Sequence, residues 1–197
     1  MYKQVPCASG CGRGAVSGST LCALHSADQA ADARRIALAV QAGKAAFDEN
    51  AAGLKFEGID FSGVDFKESN FSTCYFFQCL FPKAKFDSCF FDFAVFSACD
   101  FSGSNIQFSS FSGADIEDCS FENSELSHVN FCGTIIQDCT FNGSNLYNSR
   151  FIMSEMKDSD FEDCNLKRVN FTMSKRENIN FKLSNTAEAI FAMRDDQ

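Results

Sequence analysis

From Phe56 onward the apolar positions of the chain recur every five residues. Every fifth residue from Phe56 to Phe191 gives 28 positions, of which 26 are large and apolar and 19 are Phe; the exceptions are Arg176 and Thr186. Neither a 3.6-residue nor a 2-residue period produces this pattern, so the segment is no ordinary helix or sheet strand. Two residues before each of these centres stands a second restricted set, from Leu54, Ile59 and Val64 to Ala189, drawn only from Ala, Ser, Thr, Cys, Val, Ile and Leu. The other three positions are rich in Asp, Asn, Ser, Gly and Lys. A unit with one large and one small apolar residue cannot bury itself alone, but stacked copies can.

The alternation resembles the pentapeptide-repeat family, whose unit is a small residue, a polar one, Phe or Leu, then two polar ones. Cys119-Ser120-Phe121-Glu122-Asn123 and Ser144-Asn145-Leu146-Tyr147-Asn148 are examples. The resemblance implies an all-β solenoid, a right-handed quadrilateral β-helix with four units, or 20 residues, per coil. Sorting the centres at 20-residue spacing tests that implication. Phe61, Phe81, Phe101, Phe121, Phe141, Phe161 and Phe181 form one column, and a second all-Phe column runs from Phe71 to Phe191. The other two columns mix Phe with Ile, Leu and Met. Cys79, Cys99, Cys119 and Cys139 also share a column of small inward positions, where Cys is core filler. About seven coils at about 4.8 Å each make a rod roughly 34 Å long. Unbroken phasing predicts no projecting loop. Arg176 and Thr186 mark a terminal coil covered by the short segment that follows.

Residues 26–50 are Ala-rich, lack Pro and read as a helix by propensity, expected to cap the Phe-lined end of the first coil rather than serve as a recognition helix. Ahead of it stand Cys7, Cys11, Cys22 and His25, spaced C-x3-C-x10-C-x2-H. Two close pairs separated by a ten-residue loop suit tetrahedral zinc. With Cys11-Gly12-Arg13 the stretch resembles small zinc-knuckle modules, which implies a structural zinc. The chain therefore divides into a zinc-knuckle-like module (1–26), a capping helix (27–53), the β-helix (54–191) and a C-terminal tail (192–197).

Composition excludes more than it names. There are 11 Cys, 24 Phe and no Trp. No run of about 18 apolar residues predicts a membrane span, and the first residues lack the apolar core of a signal peptide. An odd Cys count without such a signal points to reduced thiols and a cytoplasmic setting, although secretion without a cleaved signal leaves no mark on this reading. His128 falls on an outward repeat position. Ser154 and Lys157 match S-x-x-K, but Ser154 is an inward position, so the match is accidental. No enzyme is expected.

The net charge of −9 is unevenly distributed. Between Asp87 and Ser149 there are nine acids and no Lys or Arg. Asp118, Asp138 and Asp158 share one outward position on successive coils, with Asp115 and Glu117 beside them. The Phe71 face instead carries Phe90, Phe93, Ile152 and Met153, an apolar patch of the kind that marks contacts. Two functions follow as expectations. One is a protein-interaction scaffold with a partner unnamed by any residue. The other comes from the resemblance: some family members mimic duplex DNA and bind DNA gyrase or topoisomerase IV. On neither reading does the acidic rod itself bind nucleic acid.

Overall fold

The computed structural model describes residues 5–192. It is an all-parallel β-solenoid of about seven turns preceded by one helix and an N-terminal Cys/His cluster. Every pairing within the solenoid joins residues 20 apart. Ala46 pairs with Phe66, Phe56 with Phe76 and Ile136 with Met156. Seven stacked strands, from Lys55–Glu57 to Lys175–Asn180, form the face built on Phe56. Four, from Ala45–Phe47 to Asn105–Gln107, form the beginning of the Phe66 face. Bridges such as Asp100↔Ser120 and Ser110↔Asn130 continue the same register on the other two faces.

The core is the Phe columns. Phe101, Phe121 and Phe141 stack at 4.7 and 4.8 Å with interplanar angles of 2° and 3°. Those distances match the spacing of paired backbones, so one coil rise serves hydrogen bonds and rings together. Around a single coil the rings meet edge to face, as Phe61 and Phe66 do at 5.7 Å and 73°.

The corners explain the polar positions. Two residues after every centre, from Asp48 to Leu183, the backbone has positive φ. Seven of these 28 corners are Gly and eight more are Asp or Asn, the types that enter the left-handed region most cheaply. At Gly143 (φ 71°) an added Cβ would lie 2.5 Å from Asn123 Oδ1, whereas at Gly133 (φ 67°) it would meet nothing within 4 Å. Gly133→Ala is therefore expected to cost about 1 kcal/mol, and Gly143→Ala more, because Asn123 must also move. Denaturant midpoints of the two variants check this ordering.

Helix α1 (Gln29–Gly43) starts at Asp28, whose carboxylate accepts from the Ala31 N–H at 2.8 Å, and stops at Lys44 in the left-handed region. It buries Ala33, Ile36, Ala37 and Val40 against the first coil, sharing one apolar cluster with Phe56 and Phe61. The helix thus ends before 53, and the coils begin earlier than Phe56. Ala46 and Ala51 already occupy buried centre positions. They are small because α1 lies over them and takes up the space a Phe ring would need.

At the far end Arg176, where the apolar pattern fails, is itself part of the cover. Its guanidinium lies 5.0 Å from the centroid of the Phe191 ring and donates to the Phe171 carbonyl at 3.1 Å. A cation over the open end also discourages another chain from pairing there. Of the expected tail, 193–197 fall outside the described residues.

Candidate functional site

Cys7, Cys11, Cys22 and His25 come together. Their donor atoms all lie within 4.8 Å of one another, and such a cluster can hold a metal ion. Cys7 Sγ and Cys22 Sγ stand 3.6 and 3.5 Å from His25 Nδ1, and Cys11 Sγ stands 3.7 Å from Cys22 Sγ. Local turns deliver them. The Cys7 N–H donates to the Arg13 carbonyl at 2.9 Å and the Gly10 N–H returns to the Cys7 carbonyl at 3.0 Å. Gly10 and Gly12, both at positive φ, complete the loop that carries Cys11. Cys22 opens a 3-10 turn, Ala23–His25, which places His25 three residues on.

The electrostatics favour thiolate at the first two cysteines. Cys7 is lowered to about 5, first by the Ser9 hydroxyl at 3.0 Å and next by the Cys22 N–H at 3.3 Å. Cys11 is lowered by the Arg13 backbone N–H, while burial pushes Cys22 up. The hydrogen bond to Cys7 raises His25, favouring its protonated form when no metal is bound.

Asn50 ties this module to the rod, a role that its repeat position did not signal. It is buried; its N–H donates to Ser17 Oγ and its amide nitrogen to the Ala15 carbonyl, at 2.8 and 2.7 Å. Val16 and Ala23 join the coil core. The cluster is therefore docked on the first coil.

The outward sets behave differently from one another. Asp115, Glu117, Asp118, Asp138 and Asp158 are all exposed on the Phe56 face and its corner toward the Phe61 face. The three corner aspartates stand at φ 52°, 52° and 48° on consecutive coils. Among the described residues only the last has a cationic neighbour, Lys157 at 3.9 Å, and it also accepts from the Asn178 amide at 2.8 Å. Asp138 accepts from Gln137 at 3.1 Å. The apolar set is not one patch. Phe93 and Met153 share a column but lie three coils apart, about 14 Å, with Gly113 and Gly133 between them. Phe93 folds over the first gap, since a Cβ on Gly113 would meet its ring at 2.6 Å.

Inside the coils the thiols are sealed. Cys79, Cys99 and Cys139 donate to the carbonyls of Phe56, Phe76 and Ile116 at 3.4–3.5 Å. Burial pushes Cys74 and Cys89 up to about 12, which leaves them as unreactive filler. Ser154 is likewise buried, its hydroxyl donating to the Phe151 carbonyl at 2.7 Å.

A family model described as pentapeptide repeats (8 copies) matches residues 83–118, and one described as a pentapeptide repeat region matches 114–191. The chain belongs to the pentapeptide-repeat family. Together the matches span more than half of its 197 residues. Comparison with curated proteins returns no match. Among solved structures it is similar to HetL, a pentapeptide-repeat protein involved in heterocyst differentiation regulation from the cyanobacterium Nostoc sp. strain PCC 7120. The identity is 12%, the match covers 72% of this chain and 89% of that one, and the TM-score is 0.40. It is also similar to QnrB1, a plasmid-mediated fluoroquinolone resistance protein, at 18% identity, 76% and 90% coverage and a TM-score of 0.43. At these identities the likeness concerns the pentapeptide-repeat fold alone. No helix among the described residues is long and apolar enough to cross a membrane.

Proposed function

We propose that this pentapeptide-repeat protein is a non-enzymatic scaffold that binds a protein partner through the outward faces of its coils, with a structural zinc at Cys7, Cys11, Cys22 and His25. The observation that carries the reading is the separation of inside from outside. The inward Ser and Cys side chains of the middle coils are sealed, while each outward face has its own chemistry. Such a rod has outward surface to offer, and its inward hydroxyls and thiols are closed to a substrate.

The zinc assignment rests on donor type and spacing. Zn–S near 2.3 Å and Zn–N near 2.0 Å in a tetrahedron require S···S edges of about 3.8 Å and S···N edges of about 3.5 Å. The 3.7, 3.6 and 3.5 Å separations fit those edges. Four protein ligands leave no open position, so the metal's role is to fix the cap. To test the scaffold, Phe90→Ser and Phe93→Ser are combined in a pull-down. Loss of a retained partner with an unchanged melting temperature is expected; full retention removes that end of the Phe71 face from the binding surface.

One observation favours a second reading, mimicry of DNA toward gyrase or topoisomerase IV. The nine acids between Asp87 and Ser149 fall on about three coils, or roughly one negative charge per 1.7 Å of axis, the linear density of duplex DNA. Supercoiling by gyrase at low and moderate salt is the test. Mimicry predicts inhibition, or protection from a gyrase poison, at micromolar protein, weakened by salt and by Asp118→Asn with Asp138→Asn. Unaltered supercoiling and poisoning at both salts would leave the acids as solubilising charge.

A further inference from the structure

The corner diagonally across the rod from the aspartate column is built in the opposite sense. Asp118, Asp138 and Asp158 turn the chain from the Phe56 face to the Phe61 face. Phe108, His128, Asn148 and Arg168 turn it from the Phe66 face to the Phe71 face, each at positive φ and exposed to solvent. With Arg150 and Asn170 on the adjoining edge they line an open, shallow surface groove of about 650 Å³. The lining contains two guanidinium groups, an imidazole and amides, and no carboxylate.

Two features mark the groove as more than a charged surface. First, its groups are already held. The Phe108 and His128 rings stack at 5.1 Å and 24°, and the Asn148 amide nitrogen lies 3.0 Å from His128 Nδ1. Donation from that nitrogen leaves the imidazole hydrogen on Nε2, as a further donor. Arg168 donates to the Tyr147 hydroxyl at 3.2 Å and lies over its ring. Second, the positive charge is not neutralised from within. Among the described residues neither Arg150 nor Arg168 reaches a carboxylate, as is also true of Lys83 and Lys85. Glu188, one coil beyond Arg168, turns its carboxylate to Lys167 at 3.6 Å and to Asn185.

We propose that this corner groove binds a small organic phosphate bearing a flat ring, of the mononucleotide class. Arg150 and Arg168 would take the phosphate, because a guanidinium fork matches its oxygens. The ring would lie along the stacked edge of Phe108 and His128. Four corner rungs span about 14 Å, enough for both ends of such a molecule. None of its lining residues is among those named for the partner surfaces above, although Arg150 and Asn170 share an edge column with Phe90.

Calorimetric titration of the full chain tests it, with AMP, adenosine and inorganic phosphate as probes. AMP is expected to bind with submillimolar Kd, and each half-molecule about tenfold or more weaker. Arg150→Gln with Arg168→Gln should lower AMP affinity about tenfold or more and leave adenosine unchanged. Phe108→Ser should weaken AMP and adenosine together and spare phosphate. All three positions are exposed, so unchanged melting temperatures confirm the variants are folded. No saturation by millimolar AMP, phosphate binding as tight as AMP, or wild-type affinity in the double variant overturns the proposal.

Discussion

Replacing Phe121 with Ala is expected to destabilise the coil stack by about 3–5 kcal/mol. The ring is fully buried between Phe101 and Phe141 at 4.7 and 4.8 Å, and it meets Phe111 and Phe131 edge to face at 6.4 and 6.3 Å. Removing it leaves a void that cannot close. The coil rise is set by the backbone ladder, where the Phe121 N–H donates to the Thr140 carbonyl at 2.7 Å, and neighbouring coils cannot approach further. Phe121→Leu should cost less, because Leu126 and Leu146 show that the mixed columns accept an aliphatic centre. Urea unfolding gives both values. A loss below about 1 kcal/mol for the Ala variant would mean that the columns are not the main source of stability.

Removing the proposed zinc should have the second large effect, confined at first to one end. With a strong chelator, or in Cys22→Ser, residues 5–26 are expected to lose protection from hydrogen exchange. The lid over Ala46 and Ala51 should then loosen, lowering stability by several kcal/mol, since metal-binding energy of this kind is folding energy. The coils from Phe81 onward should remain protected, because each coil contacts only its neighbours. Purified protein should contain one zinc per chain; a ratio far below that removes the zinc assignment.

Without metal, Cys7 and His25 set opposite pH dependences: the raised His25 contributes stability that is lost as pH rises. Cys7 is lowered from 9.0 to about 5, so the stability it contributes without metal is complete above about 9 and lost as pH falls through about 5. Zinc binding, which requires thiolate, should weaken in the same direction.

The coils were legible because a large apolar residue, most often Phe, marks nearly every centre, and the 20-residue register because like centres stack on like. Ala46 and Ala51 were not legible. They carry the same inward role, but their size answers to the helix above them, which the five-residue pattern does not contain. Arg176 looked like decay of the repeat, yet it lies over Phe191 and closes the end. The four residues of the Cys/His cluster were readable from spacing, whereas Asn50 was hidden, because its anchoring bonds depend on how the module docks. The apolar set was read too generously: sharing a face does not make Phe93 and Met153 neighbours when three coils separate them. The Phe108–Arg168 corner was missed for the converse reason. Its members are 20 residues apart and differ in type, so only the register makes them one surface.

Hydrogen exchange of the rod with and without a captured protein partner tests the central claim most directly. If the coils are the binding surface, added protection should fall on two or more consecutive coils, at positions spaced 20 residues apart on one face or corner. Protection confined to residues 5–25, with every coil unchanged, would contradict it.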